Sequence, residues 1–246
     1  MQNVWNSIVQ WLHSLGLHPD PAVLVPLGEA ADRIGQAAGG MDLASLLALA
    51  AALGWASGFR LYAVVFAVGL LGASGMMALP GGLDVLAHPL LLVGSGTLLF
   101  VEFFADKIPG VDSVWDLLHS VIRVPAGAAL AAGVFGADST AMATFAALMG
   151  GTLALSSQAA KTTTRAVINT SPEPLSNVGA SLVEDGAAVG ALWLALAHPA
   201  VFAVVLVVVV IALWVLTWML WRFLAAAMRK IRGWRGGGSA VQPPYR

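Results

Sequence analysis

The sequence predicts an all-α membrane protein, a polytopic bundle of about six transmembrane helices, and three observations carry that reading. Of 246 residues, 59% are hydrophobic and only 10% are Asp, Glu, Lys or Arg, where soluble domains carry roughly a quarter. Mean hydropathy is +0.83, and so little charge cannot cover a surface in water, so lipid must cover it. The apolar stretches suffice for about six spans at about 20 residues each. Runs such as Val204 to Leu216 do not alternate apolar and polar residues, as the strands of a membrane barrel would.

Residues 1–42 precede the first span. Met1 to Asn6 has no positive side chain ahead of an apolar core, so no signal peptide is expected there. Val4, Trp5, Ile8, Trp11, Leu12 and Leu15 recur at helical spacing between Asn3, Asn6, Gln10 and Ser14. That pattern predicts an N-terminal amphipathic helix in the interface, with Trp at headgroup depth. Pro19, Pro21, Pro26, Gly28, Gly39 and Gly40 make residues 19–42 a linker.

The transmembrane helical domain covers residues 43–225. The first span, about 43–73, is interrupted by Gly54, Gly58 and Arg60, and the second runs about 89–107 behind Pro89, which suits a first helical turn. Residues 108–123 read as a separate polar, Pro/Gly-led segment, of the kind that forms a broken or re-entrant piece, with a third span continuing to about 136. The fourth covers about 140–166. Ser171-Pro172-Glu173-Pro174 reads as a helix start, with Ser capping and an acid near the positive end. Spans five and six run about 175–197 and 200–224, and residues 226–246 form a basic tail expected to be disordered.

Charge orients the spans. Arg229, Lys230, Arg232 and Arg235 put the tail in the cytoplasm by the positive-inside rule, which suits a bacterial inner membrane with both termini cytoplasmic. Six spans then bring Lys107, Arg123, Lys161 and Arg165 to the same side. The loops assigned outside, about 74–88, 137–140 and 198–199, contain no Lys or Arg.

Ionisable groups inside spans cost about 2.5–3.5 kcal/mol each on insertion scales, so each needs a reason. Glu102 and Asp106 lie four apart on one helical face, with Lys107 next. Glu184 and Asp185 lie at similar depth in the fifth span, and Phe100-Val101-Glu102 looks like Leu182-Val183-Glu184, as in a duplicated unit. Carboxylates on two helices can hold a hard cation or carry a proton, or simply pair with Lys107, Lys161 or Arg165.

Asp112, Asp116, His119 and Arg123 step by four, three and four along one face. They read as a divalent-metal site (Asp112, Asp116, His119) or proton relay. They read equally as a solvated interfacial face, with Ser113 and Asp116 forming a capping box. Arg60 has no acid on its own helix, so it pairs across the bundle with Glu102 or Glu184, or binds an anion. Ser157, Lys161 and Thr164 share one face of the fourth span, and Gln158, Thr162 and Arg165 the next. Two polar faces imply water, substrate or a polar partner helix. Asn169, Thr170, Glu173 and Asn177 surround the Pro-rich turn, where turn chemistry explains them as well as function does.

Other classes lack a signal. The net charge of −1 gives no reason to expect nucleic acid. The absence of cysteine excludes disulfides, thiolate metal sites and cysteine nucleophiles. There is no phosphate-binding loop, Rossmann fingerprint, Gly-x-Ser-x-Gly elbow or His-Glu-x-x-His, so no cofactor and no enzyme class is expected.

Ala105-Asp106-Lys107-Ile108-Pro109-Gly110-Val111-Asp112-Ser113, with Trp115, Asp116 and His119, resembles a bacterial membrane family, the domain of unknown function 4126 family. Asn169-Thr170-Ser171-Pro172-Glu173-Pro174, Glu184-Asp185 and Gly58-Phe59-Arg60 resemble it too, over about residues 43–225. The resemblance implies a helical membrane protein and brings no activity. Glu102-Phe103-Phe104-Ala105-Asp106-Lys107 is also similar to the Glu-x-Gly-Asp-Lys signature of cation–proton exchangers, but has one residue more and no Gly, so its acids take different faces.

The reading that follows is a transporter or channel for a small ion or polar solute. Its site would lie between the second, fourth and fifth spans. Glu102, Asp106, Glu184 and Asp185 would bind a cation or proton, with Arg60, Lys161 and Arg165 balancing charge. Lys107, Asp112, Asp116, His119, Arg123, Asn169, Glu173 and Asn177 would line the pathway. A non-transporting scaffold with a fixed ion-pair network is the alternative, followed by a metal-dependent enzyme acting on lipid headgroups. The expected partners are the bilayer and the solute, and the sequence leaves a homo-oligomer open.

Overall fold

A computed structural model of the chain describes residues 40–236 apart from Pro109, Asp138 and residues 171–173. The expected N-terminal amphipathic helix, Ser171 and Glu173 therefore lie outside the described residues. The described residues form an all-α membrane protein with no strand. Its helices are α1 (Leu43–Ala73), a 3-10 helix (Gly81–Ala87), α2 (Pro89–Ala105), α3 (Val111–Gly133), α4 (Thr140–Ile168), α5 (Pro174–Ala197) and α6 (Pro199–Gly236).

The helix starts follow local chemistry. Asp42 caps α1, its Oδ1 accepting from Ser45 N at 2.8 Å, and those hydrogen bonds hold its carboxyl below the usual carboxylate range. His88 caps α2 through Nδ1, which accepts from Leu90 N at 3.2 Å, with Pro89 in the first turn. This proline also explains the 73° bend between the 3-10 helix and α2, because the residue before a proline is driven to extended backbone.

Four helices are long and apolar enough to cross a membrane: α1, α4, Leu175–Ala197 of α5 and Pro199–Ala226 of α6. The bent pair of 3-10 helix and α2 would make a fifth. The third expected span is where the structure differs. Residues 111–123 of the polar segment and the apolar stretch after them are one helix, α3, running through Pro125, and the ionisable residues of its first half lower its apolarity. α6 also differs: it continues as helix through residues 226–236, part of the tail expected to be disordered. Its 38 residues reach about 57 Å at 1.5 Å per residue, well beyond a hydrocarbon core of about 30 Å.

α1 is the hub and touches every other helix. Water does not drive helices together inside lipid, so close approach of backbones matters, and small residues spaced four apart permit it. Gly54 and Gly58 do this for α1. A Cβ at Gly54 would lie 2.4 Å from Gly150 Cα, and one at Gly58 would lie 2.3 Å from Ala154 O. Two residues later α1 breaks, with Arg60 at φ −141° and ψ 67°. The seam between α1 and α4 thus ends where the charges begin.

Candidate functional site

Nine ionisable side chains from five helices are buried in one cluster: Arg60 on α1, Glu102 and the adjoining Asp106 on α2, Asp112, Asp116 and Arg123 on α3, Lys161 and Arg165 on α4, and Glu184 on α5. Asp185, on α5, closes its rim with a side chain 33% exposed.

Arg60 joins α1 to α2 and α5. Its Nη1 pairs with Asp106 Oδ2, Nη2 donates to Ser181 Oγ at 2.6 Å, and Nε lies 2.7 Å from Asp185 Oδ1. Glu184 Oε2 is 3.8 Å from Nη2. Of the two partners expected for Arg60, Glu184 is therefore peripheral. Glu102 belongs instead to Arg123, whose Nη2 lies 2.5 Å from Glu102 Oε1. Helical arithmetic brings Glu102 and Asp106 to one face but cannot say which acid meets which cation.

Lys161 stands at the centre. Its Nζ is 3.3 Å from Asp106 Oδ2, 3.1 Å from Asp116 Oδ1 and 3.3 Å from Glu184 Oε2. It also donates to Phe59 O at 3.1 Å, a carbonyl beside the break in α1. Irregular backbone inside a membrane bundle survives only where protein groups satisfy it, and Lys161 does so here.

Arg123 continues the network, donating from Nη1 to Asp116 Oδ1 at 2.8 Å and to Gln158 Oε1 at 2.9 Å. Arg165 grips Glu184 side-on, Nε to Oε1 at 3.3 Å and Nη2 to Oε2 at 3.1 Å. Its Nη1 donates to Asp106 O at 3.0 Å and Asn177 Oδ1 at 3.3 Å. Asp112 accepts from Asn169 Nδ2 at 3.0 Å on each oxygen and from Gly110 N at 2.8 Å. Asn177 Nδ2 donates in turn to Asn169 Oδ1 at 3.2 Å.

The cluster draws on more of the bundle than the second, fourth and fifth spans. Asp112 and Asp116 lie inside it rather than along a mouth, because α3 turns Asp112, Asp116 and Arg123 inward against Asn169, Lys161 and Glu102. The capping box does not form either. Gly110 caps α3 with φ 87° and no side-chain bond, while Ser113 Oγ accepts from Asn169 Nδ2 at 2.8 Å.

The metal reading loses its geometry. His119 stacks on Trp115 at 4.0 Å between ring centroids, its Nδ1 lies 2.8 Å from Trp115 O, and Tyr62 meets it edge-on at 5.6 Å. It does not converge with Asp112 and Asp116. Among the described residues no group of three His, Asp or Glu side chains is arranged to hold a metal ion. Lys107 also stays apart, donating to Phe103 O at 2.9 Å and lying over the Phe103 ring.

Ser181 and Gln158 are the partners that sequence reasoning missed as site residues. Asn177, Ser181 and Glu184 step by four and three along α5, so the signal was a polar face, obscured because a lone serine in a span is unremarkable. On α4, the line facing the cluster is Gln158, Lys161 and Arg165, and the threonines sit at its edge.

No curated protein and no solved structure matches the chain. Residues 47–222 match the family described as "Domain of unknown function (DUF4126)". That match takes in every member of the cluster, and the chain belongs to this family of unknown function.

Proposed function

We propose that the protein moves a small cation, proton or polar solute across the bacterial inner membrane, with the buried cluster as its ion-binding centre. One observation carries the reading. Five buried carboxylates face four buried cations, and Glu102 Oε2, Asp106 Oδ1 and Asp116 Oδ2 are buried without a hydrogen-bond partner among the described residues. A network built only to hold helices together gains nothing from surplus negative charge with unused acceptor atoms, since unpaired buried charge is strongly destabilising. A centre that takes up and releases a cation needs both. The break of α1 at Arg60 supports the same reading, because interrupted helices beside a charged centre are how many transporters bind ions. The absence of Lys and Arg from the loops assigned outside supports cytoplasmic termini.

The test is flux in proteoliposomes under an imposed pH or cation gradient. Wild-type protein should dissipate the gradient, and Glu102→Gln and Glu184→Gln should abolish flux in chains that remain folded. Flux unchanged in both variants sinks the assignment of the centre.

The second reading, a non-transporting scaffold, is favoured by the pairing of the cations, for each of the four engages two or more acceptors. No flux from folded wild-type protein under any gradient, with both variants unfolding, would establish it.

A further inference from the structure

We propose that the cluster stores one proton, on Oε2 of Glu102, so that the ion coupled to transport is H+ rather than a metal cation. This rests on the transport reading for its purpose but on the cluster's own geometry for its location.

Among the described residues the buried ionisable groups are five carboxylates and four cations. The sixth acid, Asp185, is one-third exposed and is served by Arg60 Nε and by solvent. One enclosed negative charge is therefore uncompensated. Isolated buried charge is so costly in low dielectric that the group takes up a neutralising ion or becomes neutral itself. A divalent metal ion would need several converging oxygen ligands, and no group of three His, Asp or Glu side chains is arranged for one among the described residues. A proton needs one oxygen.

The contacts choose which. Glu184 is held on both oxygens, by Arg165 and Lys161. Asp112 receives three hydrogen bonds from Asn169 and Gly110. Asp106 Oδ2 meets two cations, Arg60 and Lys161, and Asp116 Oδ1 meets two, Arg123 and Lys161. Glu102 is paired with one, Arg123, through Oε1 alone, while its Oε2 is buried and unpartnered. Of the enclosed acids with a free oxygen it has the least to lose by becoming neutral. The charged groups that face it are Arg123 and Asp116 on α3, Lys161 on α4, Arg60 on α1 and Asp106 beyond its own helix's end, with Tyr62 of α1 on the same side.

Protonation leaves the rest intact. Neutral Glu102 still accepts from Arg123 through Oε1, and Arg123 keeps Asp116 and Gln158. The enclosed charge then balances at four against four. On release the O–H bond at Oε2 breaks, the proton passes to water, and the carboxylate left behind falls to Arg123 alone.

Infrared spectroscopy of the full chain in lipid bilayers tests this without reference to flux. The chain has four glutamates. At neutral pH wild-type protein should show a neutral-carboxyl C=O band that shifts on carbon-13 labelling of glutamate, does not shift on labelling of aspartate, and moves in D2O. The band should vanish in Glu102→Gln. Glu102→Gln should unfold at the wild-type temperature, since one neutral group replaces another.

A band insensitive to glutamate labelling overturns the proposal, and that measurement needs no variant to fold. So does a band that persists in Glu102→Gln. The band present without flux in proteoliposomes would leave the stored proton standing and remove the transporter. Flux without the band would do the reverse.

Discussion

α1 and α6 are both long apolar helices, yet they occupy opposite environments. α6 is the more apolar and presents Val204, Val208, Ile211, Trp214 and Trp218 outward. α1 is interrupted by Gly54, Gly58 and Arg60, and is buried along most of its first two-thirds. In water the more apolar helix would be the core. In lipid the order inverts, because apolar side chains are as comfortable against acyl chains as against one another. What selects the centre of this bundle is small residues that let backbones touch and charges that lipid will not accept. That contrast makes the interior of the protein fragile at polar positions and its most apolar helix tolerant.

The largest effect should come from a cluster cation. Arg165→Met takes both of its contacts from Glu184, leaving it Lys161 and a distant Arg60, and leaves Asp106 O and Asn177 Oδ1 without their donor. Removing one partner of a buried pair costs about 3–5 kcal/mol. Thermal unfolding in detergent followed by circular dichroism should show that loss or no folded protein at all. A loss below about 1 kcal/mol would mean that water reaches Glu184 and that the polar interior is not closed.

Next comes the seam. Gly54→Ala pushes a methyl group to within 2.4 Å of Gly150 Cα, and since backbone cannot rotate away, α1 and α4 must part. Overpacking of this kind costs about 1–3 kcal/mol. The same measurement reads it, and the loss of one methyl's room should exceed any alanine substitution on the outward face of α6.

Much of this was legible in the sequence, for a physical reason. An ionisable residue in a span is conspicuous because insertion penalises it, so Arg60, Glu102, Asp106, Lys161, Arg165 and Glu184 announced themselves, and the structure brings them together. The helix start at Pro89 was equally plain. Pairing was not legible, because sequence spacing gives the face of a helix but not which helix that face meets, and Arg60 meets Asp106 and Asp185. The continuity of α3 was hidden by Pro125 and by the change from polar stripe to apolar run. Both halves face the same neighbours, so α4 and α1 hold them in one helix. Asn169 and Asn177 looked like turn residues, and Asn169 does cap the end of α4 while holding Asp112.

The cap of α1 gives a smaller effect. Asp42→Ala removes the acceptor for Ser45 N and should cost about 1 kcal/mol. Because its carboxyl is held below the usual range when folded, its contribution is present above the unfolded carboxylate range and is lost as pH falls through the folded value. The difference in unfolding temperature between wild type and Asp42→Ala should therefore shrink under acid and stay constant from mildly acidic pH upward.

The smallest effect is the most informative about the comparison. Val208 on α6 is 61% exposed, whereas Val64 on α1 is 1% exposed. Val64→Ala deletes contacts inside the packed core and leaves a cavity, and should cost about 1–3 kcal/mol. Val208→Ala exchanges one apolar surface for another against lipid or detergent, and should fall within about 0.5 kcal/mol, as surface substitutions do. The two variants compared side by side test whether lipid is what covers α6. Equal losses would show that protein covers it, and the nearest source of such a surface is a second copy of this chain. Cross-linking at position 208 would then report a dimer that the wild-type chain forms through its most apolar helix, and the tolerance assigned to that helix would belong to its partner's absence.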